Sequence, residues 1–319
     1  MSIYLTEKKI SVVIPCYNEA DNIPVMYERL TETFKKITPQ YEFIFVDNAS
    51  TDQSELIYHE LCKKDPHVSI IIMSRNFGSS DTSYTAGTEY ALGDAVVWID
   101  GDIQDPPELI VQFVEKWREG YEVIYGIRAK RKAGMFLRLA YRAFYSLFKR
   151  YSYVEIPQHA GDFSLLDRKV VDILNRLPER DRFLRGLRAW VGFRHTGIEY
   201  ERAERVRGKA KTNLGLYMRI AKKGLVSFSY APLTLVSNVA LFAMIVSLIA
   251  LVLYPAMAIF YPAPRGFLTL LVAMLFMGSI QFCILAIIGE YVGRIFEEVK
   301  GRPKYIIRTI LNDHRTTKS

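Results

Sequence analysis

The chain has 319 residues, long enough for one large domain or one domain with an accessory part. Half of them are hydrophobic and the net charge is +8, which points to anionic partners: nucleic acid, an anionic membrane surface or a phosphate-bearing substrate. Cys16, Cys62 and Cys283 are odd in number and far apart, which excludes a paired-cysteine metal site or a disulfide framework and fits a reducing compartment. The first nine residues carry no apolar core after a basic start, so no signal peptide is expected there.

From Ile10 the sequence alternates strand-like and helix-like segments. Strands are predicted over Ile10–Pro15, Tyr41–Asp47, Val68–Met73 and Ala95–Ile99. Helices are predicted over Asn18–Lys36, with Asp21 and Asn22 as start signals, over Ser50–Lys64, and from a Gly/Ser-rich turn to about Leu92. Such alternation predicts an α/β fold with a mostly parallel sheet and helices on both faces. Each strand runs into polar residues (Cys16–Glu19, Asp47–Ser50, Ser74–Asn76, Asp100–Asp102), and parallel order gathers these ends at one crevice. The sequence lacks a Gly-x-Gly-x-x-Gly turn after the first strand, and it lacks a P-loop, which argues against a dinucleotide cofactor or a P-loop enzyme.

The fourth strand stops at Asp100-Gly101-Asp102, and Pro106-Pro107 restart the chain as a helix N-terminus. Alternation points Asp100 and Asp102 to one side, with Gly101 leaving room between them. Two like charges so close repel unless a cation neutralises them. Carboxylate oxygens suit Mg²⁺ or Mn²⁺, and Gln104 adds a neutral oxygen. The same spacing also fits a solvated turn with acidic capping residues.

Gly134–Tyr151 interleaves Phe136, Leu137, Leu139, Phe144, Leu147 and Phe148 with Arg138, Arg142, Lys149 and Arg150. It reads as a basic amphipathic helix, either in a membrane interface or packed on the sheet with a solvated basic rim. Between Lys223 and Glu290 the only charge is Arg265. Leu233–Tyr254 and Phe267–Ile288 each exceed the roughly 20 residues that cross a bilayer. The turn Pro262–Gly266 makes them a transmembrane hairpin, with Asn238 and Gln281 as polar groups that can bond across helices. Basic flanks (Arg219, Lys222, Lys223; Arg294, Lys300, Arg302, Lys304) put both ends and the N-terminal domain in the cytoplasm. The expected organisation is a catalytic domain over 1–210, a juxtamembrane amphipathic segment over 211–231, two transmembrane helices over 232–293 and a cytoplasmic tail over 294–319.

Val12-Val-Ile-Pro-Cys-Tyr-Asn-Glu19, Val46-Asp47 with Ser50-Thr-Asp52, Arg75-Asn-Phe-Gly78 and Asp100-Gly-Asp-Ile-Gln-Asp-Pro-Pro107 resemble family 2 glycosyltransferases of the GT-A (Rossmann-like) fold. Ile156-Pro157, Gly161–Asp167 and Arg182-Phe-Leu-Arg-Gly186 narrow the resemblance to polyprenyl-phosphate glycosyltransferases, the group of bactoprenol glucosyltransferases and dolichol-phosphate mannose synthase. The resemblance implies that Pro15, Tyr17, Glu19 and Asp47 hold the nucleobase and ribose. Asp100 would contact nucleotide or metal, and Asp102 and Gln104 would ligate the metal, Mg²⁺ or Mn²⁺. Arg202, Arg205 and Lys211 are candidates to clamp the diphosphate, and Arg128 and Arg131 to hold the acceptor phosphate; for each, a solvated basic surface is the alternative. Asp162 matches the family's proposed catalytic aspartate. A lipid monophosphate is mostly dianionic at neutral pH and already nucleophilic, so Asp162 orienting an arginine is the other reading. Asn48, Ser79–Asp81, Ala210 and Thr212 depart from the family pattern.

The expected activity is inverting transfer of a sugar, with glucose from UDP-glucose favoured and GDP-mannose or a UDP-aminopentose as alternatives, to undecaprenyl phosphate. The setting implied is the bacterial inner membrane, multi-pass with both termini cytoplasmic. The partners implied are the donor, the lipid, the bilayer, further copies of the chain, a flippase and a downstream glycosyltransferase, with no nucleic acid. Two other readings are a processive polysaccharide synthase, whose Gln-x-x-Arg-Trp is missing, and a non-catalytic membrane scaffold that binds nucleotide-sugar.

Overall fold

The computed structural model describes residues 4–128, 157, 160–202, 234, 236–243, 245–246, 249 and 266–315. Arg131, Arg205, Lys211, the amphipathic segments Gly134–Tyr151 and 211–231, and part of the first expected span Leu233–Tyr254 lie outside the described residues. The chain divides into two compact units. One comprises Met1–Ala140, Val154–Leu214 and Pro303–Ser319, and the other Tyr141–Tyr153 and Gly215–Arg302.

The first unit is built on strands β1 (Ile10–Cys16), β2 (Tyr41–Asp47), β3 (Val68–Met73), β4 (Ala95–Trp98), β5 (Val123–Arg128), β6 (Ala160–Asp167), β7 (His195–Tyr200) and β8 (Ile307–Leu311). They form one sheet in the order β7-β5-β6-β4-β1-β2-β3-β8. β1 lies in its centre, parallel to β2 and β4, and β3 is parallel to β2. β6 runs antiparallel to β4 and β5, and β7 parallel to β5. The four strands predicted from alternation are therefore the parallel half, and their C-terminal ends do share one edge, with Cys16 opposite Asp47.

The helices of this unit are α1 (Ile23–Phe34), α2 (Ser54–Lys64), α3 (Ser80–Tyr90), α4 (Ile110–Arg118), α5 (Arg168–Arg176) and α6 (Leu184–Trp190). The first three are shorter than their patterns predict, because loop side chains claim the ends. Asn18 adopts a left-handed φ of 57°, and Ser50 and Asp52 bind the β1–α1 loop through Asn18 N–H (2.9 Å) and Ala20 N–H (3.1 Å). At the other end of α3, Leu92 N–H leaves the helix to donate to Glu42 Oε1 at 2.6 Å. β1 is buried on both faces, as a central parallel strand must be. Ile10, Val12 and Ile14 join Phe34, Phe43, Phe45 and Phe113 in one core layer. Packing Phe34 edge-on to Phe43 (centroids 5.2 Å apart) buries a side chain worth roughly 1.5–3 kcal/mol. On the other face α3 comes so close that a Cβ on Gly87 would lie 2.3 Å from Val13 Cγ1, so only glycine lets this helix seat on β1 and β2.

Within the segment 294–319, expected to be a cytoplasmic tail, Ile307–Leu311 forms a strand: β8 extends the sheet antiparallel to β3, with Ile71 opposite Ile310. Ser74 N–H donates to Ile306 C=O (2.9 Å) and Tyr305 O–H to Glu89 (2.6 Å). Beyond β8, Asn312 donates to Val68 C=O (2.7 Å). His314 lies 3.3 Å from the buried Glu42 carboxylate, which also accepts from Ser11 O–H (2.6 Å) and pairs with Lys9 (2.7 Å).

These bonds offset burial and hold Glu42 at about 2, while the hydrogen bond to Glu42 raises His314 above its ordinary value. Glu42, lowered in the fold, contributes stability that is present above its unfolded pKa and lost as pH falls toward about 2. His314, raised in the fold, contributes stability that is complete below its unfolded pKa of about 6.5 and lost as pH rises through its folded value. Limited proteolysis of the C-terminal segment is therefore expected to quicken as pH rises above about 6.5. His314→Gln should flatten that dependence and cost roughly 1 kcal/mol at the acid end. An unchanged pH profile in the variant would dismiss the clasp.

In the second unit, α7 (Phe267–Val299) has 33 residues. Its part Phe276–Val299, mean hydropathy 1.5, is long and apolar enough to cross a membrane by length and composition, and Phe276, Phe282, Leu285, Val292 and Phe296 on it are exposed. It covers the second expected span and continues past it by eleven residues, from Ile288 to Val299.

Candidate active site

Four loops at the C-terminal edge of the parallel strands are cross-linked by side chains. Asn18 Oδ1 accepts from Thr51 N–H (2.8 Å), tying the β1 loop to the β2 loop. Asn48 N–H donates to Cys16 C=O (2.9 Å). Its side chain accepts from Phe77 N–H (2.9 Å) and donates to Asn76 Oδ1 (3.3 Å), tying in the β3 loop. That double use explains the departure at this position, since an ionised aspartate has no proton to donate. Gly101 N–H donates to Pro15 C=O (3.2 Å). A Cβ on Gly101 would fall 2.7 Å from Cys16 Sγ and 2.9 Å from that carbonyl. The glycine makes room for the end of β1 rather than for the two aspartates.

Pro15 and Asp47, at the ends of β1 and β2, therefore lie beside the loop that carries Tyr17 and Glu19. Tyr17 is exposed; Asp47 is buried, its carboxylate accepting Ser50 N–H (3.0 Å) and Ser50 O–H. Burial nonetheless raises the Asp47 pKa. Glu19 accepts from Asn22 Nδ2, so Asn22 spends its side chain on the loop rather than on capping α1.

Beyond β4, Asp100 and Asp102 face one guanidinium: Arg202 Nη2 lies 3.6 Å from Asp100 and 3.7 Å from Asp102. They share a side, as alternation predicts, although the chain between them is a turn and Ile103 has φ 59°. A β-branched residue rarely takes that conformation. Gln104 N–H donates to Asp102 Oδ1 (3.2 Å) and Tyr84 O–H to Asp100 Oδ1 (2.8 Å). Burial, then the charges of Asp162, Asp105 and Asp102, push the Asp100 carboxyl up to about 7. Asp100 is thus crowded by like charges at the end of β4.

Asp105, fully buried, is a third acid, present in the motif Asp100–Pro107 but given no role there. Its Oδ1 accepts from Tyr200 O–H and from Arg202 Nε (3.0 Å), and Arg128 stands 3.6 Å from Oδ2. Arg128, at the end of β5, lies over Gly161, where a Cβ would be 3.0 Å from Nη2. Asp162, on β6, receives a two-pronged bond from Arg185 on α6, Nε to Oδ1 and Nη2 to Oδ2, each 2.6 Å. Against burial, Arg185, with Arg188 and Arg128 nearby, holds the Asp162 carboxyl at about 2. Arg188 is buried beneath, bonded to Gly161 C=O (3.0 Å) and lowered to about 10 by burial.

Asp100, Asp102, Asp162, Arg128 and Arg202 accordingly surround one site, and Gln104 follows on the Asp102 loop. Tyr84, Arg188 and Tyr200 are neighbours of the site that no motif quoted above contains, while Asp105 and Arg185 lay inside such motifs without a role assigned to them. Arg182-Phe-Leu-Arg-Gly186 held Arg185 apart from its partner Asp162, which stands in the separate motif Gly161–Asp167.

Residues 11–174 match the family described as glycosyl transferase family 2. The chain is 42% identical over 300 residues to the uncharacterized glycosyltransferase YkcC of Bacillus subtilis, covering 93% of each chain. It is 39% identical over 307 residues to the SfII prophage-derived bactoprenol glucosyl transferase of Shigella flexneri, covering 94% of this chain and 97% of that one. Among solved structures it is similar to glucosyl-3-phosphoglycerate synthase from Mycobacterium tuberculosis in complex with phosphoglyceric acid, at 18% identity and a TM-score of 0.45, covering 69% of this chain and 79% of that one. The chain belongs to glycosyl transferase family 2, and its α/β sheet, parallel in its central half, is the GT-A fold of a glycosyltransferase.

Proposed function

We propose that the protein is a membrane-bound inverting glycosyltransferase that moves glucose from UDP-glucose to undecaprenyl phosphate. The observation that carries this reading is the facing of an acid pair and a set of guanidiniums in one crevice, Asp100 and Asp102 against Arg202, and Asp162 with Arg185 and Arg128 beside them. Two anionic reactants need both halves. The bactoprenol glucosyl transferase relative supports the lipid acceptor, and the exposed apolar side of α7 supports an anchor in a bilayer. The basic flanks favour a multi-pass arrangement in the bacterial inner membrane with both ends cytoplasmic.

A divalent cation fits the donor set. Among the described residues no three His, Cys, Asp or Glu side chains form an enclosing cage. Two carboxylates and an amide oxygen suit an ion that completes its shell with substrate phosphates, and the like-charge crowding of Asp100 by Asp102, Asp105 and Asp162 is what a cation relieves. Asp100, Asp102 and Gln104 would hold Mg²⁺ or Mn²⁺, which when bound supplies positive charge to the departing diphosphate.

The chain's own residues do the rest. Tyr17, Glu19 and Asp47 bind the nucleoside, and Arg202 faces its diphosphate. Arg128 and Arg185 bind the acceptor phosphate. An oxygen of that phosphate attacks C1 of the sugar from the side opposite the diphosphate; the C1–O bond to the donor breaks with its electron pair on the leaving group, and the configuration inverts. No proton has to leave a dianionic phosphate, so an aspartate pinned at about 2 by Arg185 serves better as an anchor than as a base.

A panel of radiolabelled UDP-glucose, GDP-mannose and a UDP-aminopentose, given to the purified full chain with undecaprenyl phosphate and Mn²⁺ or Mg²⁺, tests the proposal. Label from UDP-glucose should move into the organic phase and stay out of it when EDTA is present. Label from another donor alone would replace the sugar assignment. No lipid-linked label from any donor would end the reading.

A further inference from the structure

Lys304 and Tyr305 are half-buried, and neither the pairing of β8 nor the reaction accounts for their side chains. They follow α7 in the chain and belong to the first unit. Lys304 Nζ donates to Leu177 C=O (3.1 Å) and stands 4.0 Å from Glu89 on α3. Tyr305 O–H donates to the other oxygen of that carboxylate (2.6 Å). A lysine that takes the last carbonyls of a helix is ordinary when it comes from that helix's own final turn. This one comes from 127 positions further along, and an acid on a third element holds it in place.

What the two residues grip is the turn between α5 and α6. Asp162 lies on β6, the chain continues through α5, and Arg185 returns on α6 to take both of its oxygens. A two-pronged bond tolerates little misplacement, so the closing of the turn decides whether the guanidinium meets the carboxylate. Arg188 ties the body of α6 to β6 through Gly161 C=O (3.0 Å). The turn is pinned to α3 at two places. Leu177, the cap of α5, is held through Lys304 and Glu89, and Leu184, the first residue of α6, donates its N–H to Asp81 Oδ1 (3.4 Å). Arg182, buried within the turn, bonds back to Leu174 C=O and braces it from inside. We propose that Lys304 and Tyr305 are positioning residues for the acceptor half of the site: they pin the α5–α6 turn to α3 and so set where Arg185 meets Asp162. The proposal rests on the reading of Arg185 as a ligand of the acceptor phosphate given above.

The test is a double-mutant cycle of Lys304→Met and Arg185→Gln in the full chain. Steady-state transfer from UDP-glucose, or from whichever donor the panel above selects, gives KM for undecaprenyl phosphate, KM for the donor and kcat separately. Methionine keeps the stem of the side chain and removes the ammonium. Lys304→Met should raise KM for the lipid phosphate about tenfold and leave KM for the donor where it was, because only the acceptor's guanidinium is displaced. In the Arg185→Gln background it should move neither. If Lys304 only supports the fold, the variant will lose kcat through a smaller active fraction with both KM values unmoved, or its effect will be the same in the two backgrounds; either result overturns the proposal. Should Lys304→Met fail to fold, Tyr305→Phe takes its place. It releases Glu89 with no change of charge and should give a smaller rise in the same KM that also vanishes with Arg185→Gln; an unmoved KM, or a rise of equal size in the two backgrounds, overturns the proposal. A wild-type chain that transfers no sugar to the lipid from any donor overturns the reading of the site, and this proposal with it, whereas an active chain whose lipid KM ignores both Lys304 and Tyr305 overturns this proposal alone.

Discussion

Asp102→Asn is expected to lower sugar transfer by about a hundredfold or more while leaving the fold intact. The substitution keeps an oxygen for Gln104 N–H, the 3.2 Å bond that shapes the loop, and removes one of the negative charges that crowd Asp100. Melting temperature should therefore hold or rise as activity disappears. Asp100→Asn sharpens the point. Tyr84 can still donate to its oxygen, and a charge crowded by Asp162, Asp105 and Asp102 is gone. Stability should increase there too, the mark of a site that keeps repulsive charge for function. Mn²⁺ uptake by both variants should be weaker than by the wild type. Near-normal transfer in Asp102→Asn, or transfer indifferent to EDTA, would remove the acid pair from the reaction.

How far the sequence foretells this site depends on whether neighbours in space are neighbours in the chain. The parallel half of the sheet was legible because each buried strand is a short β-branched run followed by a polar turn; Tyr41–Asp47 and Val68–Met73 have the predicted bounds. Asp100 and Asp102 were legible because two residues fix their relation. The antiparallel half was not read. β5, β6 and β7 are brought together by pairing between segments dozens of residues apart, such as Ile124 with Leu165 and Thr196. β8 looked like a charged tail because an edge strand needs only one buried face, and Arg308 points instead to Glu55 at 2.7 Å. Asp105 sits before two prolines, where an acid normally caps a helix; only the return of Tyr200 and Arg202 from β7 shows it as the buried centre of a network. Glycines told a similar story: Gly101 was read as space for two carboxylates and proves to be space for the end of β1.

The same dependence on distant pairing decides what Asp162 does. Arg185, twenty-three positions later, occupies both of its oxygens, and a carboxyl held at about 2 is a poor proton acceptor at neutral pH. Asp162→Asn is nonetheless expected to lower turnover by about a hundredfold, with little change in affinity for the nucleotide. Breaking a buried pair leaves a charge uncompensated, which typically costs roughly 3–5 kcal/mol, and here it also frees the guanidinium that faces the acceptor. Lowered in the fold, the Asp162 pKa contributes stability that is present above its unfolded value and disappears as pH falls toward about 2, so the variant should lose the corresponding acid dependence of unfolding. An anchor and a base then separate cleanly in kinetics. For an anchor, Arg185→Gln falls as far as Asp162→Asn, the double variant falls no further, and KM for the lipid phosphate rises in all three. For a base, Arg185→Gln would keep most of the activity and move the acid limb of the pH–rate profile upward, because the aspartate left behind would titrate at a higher pH.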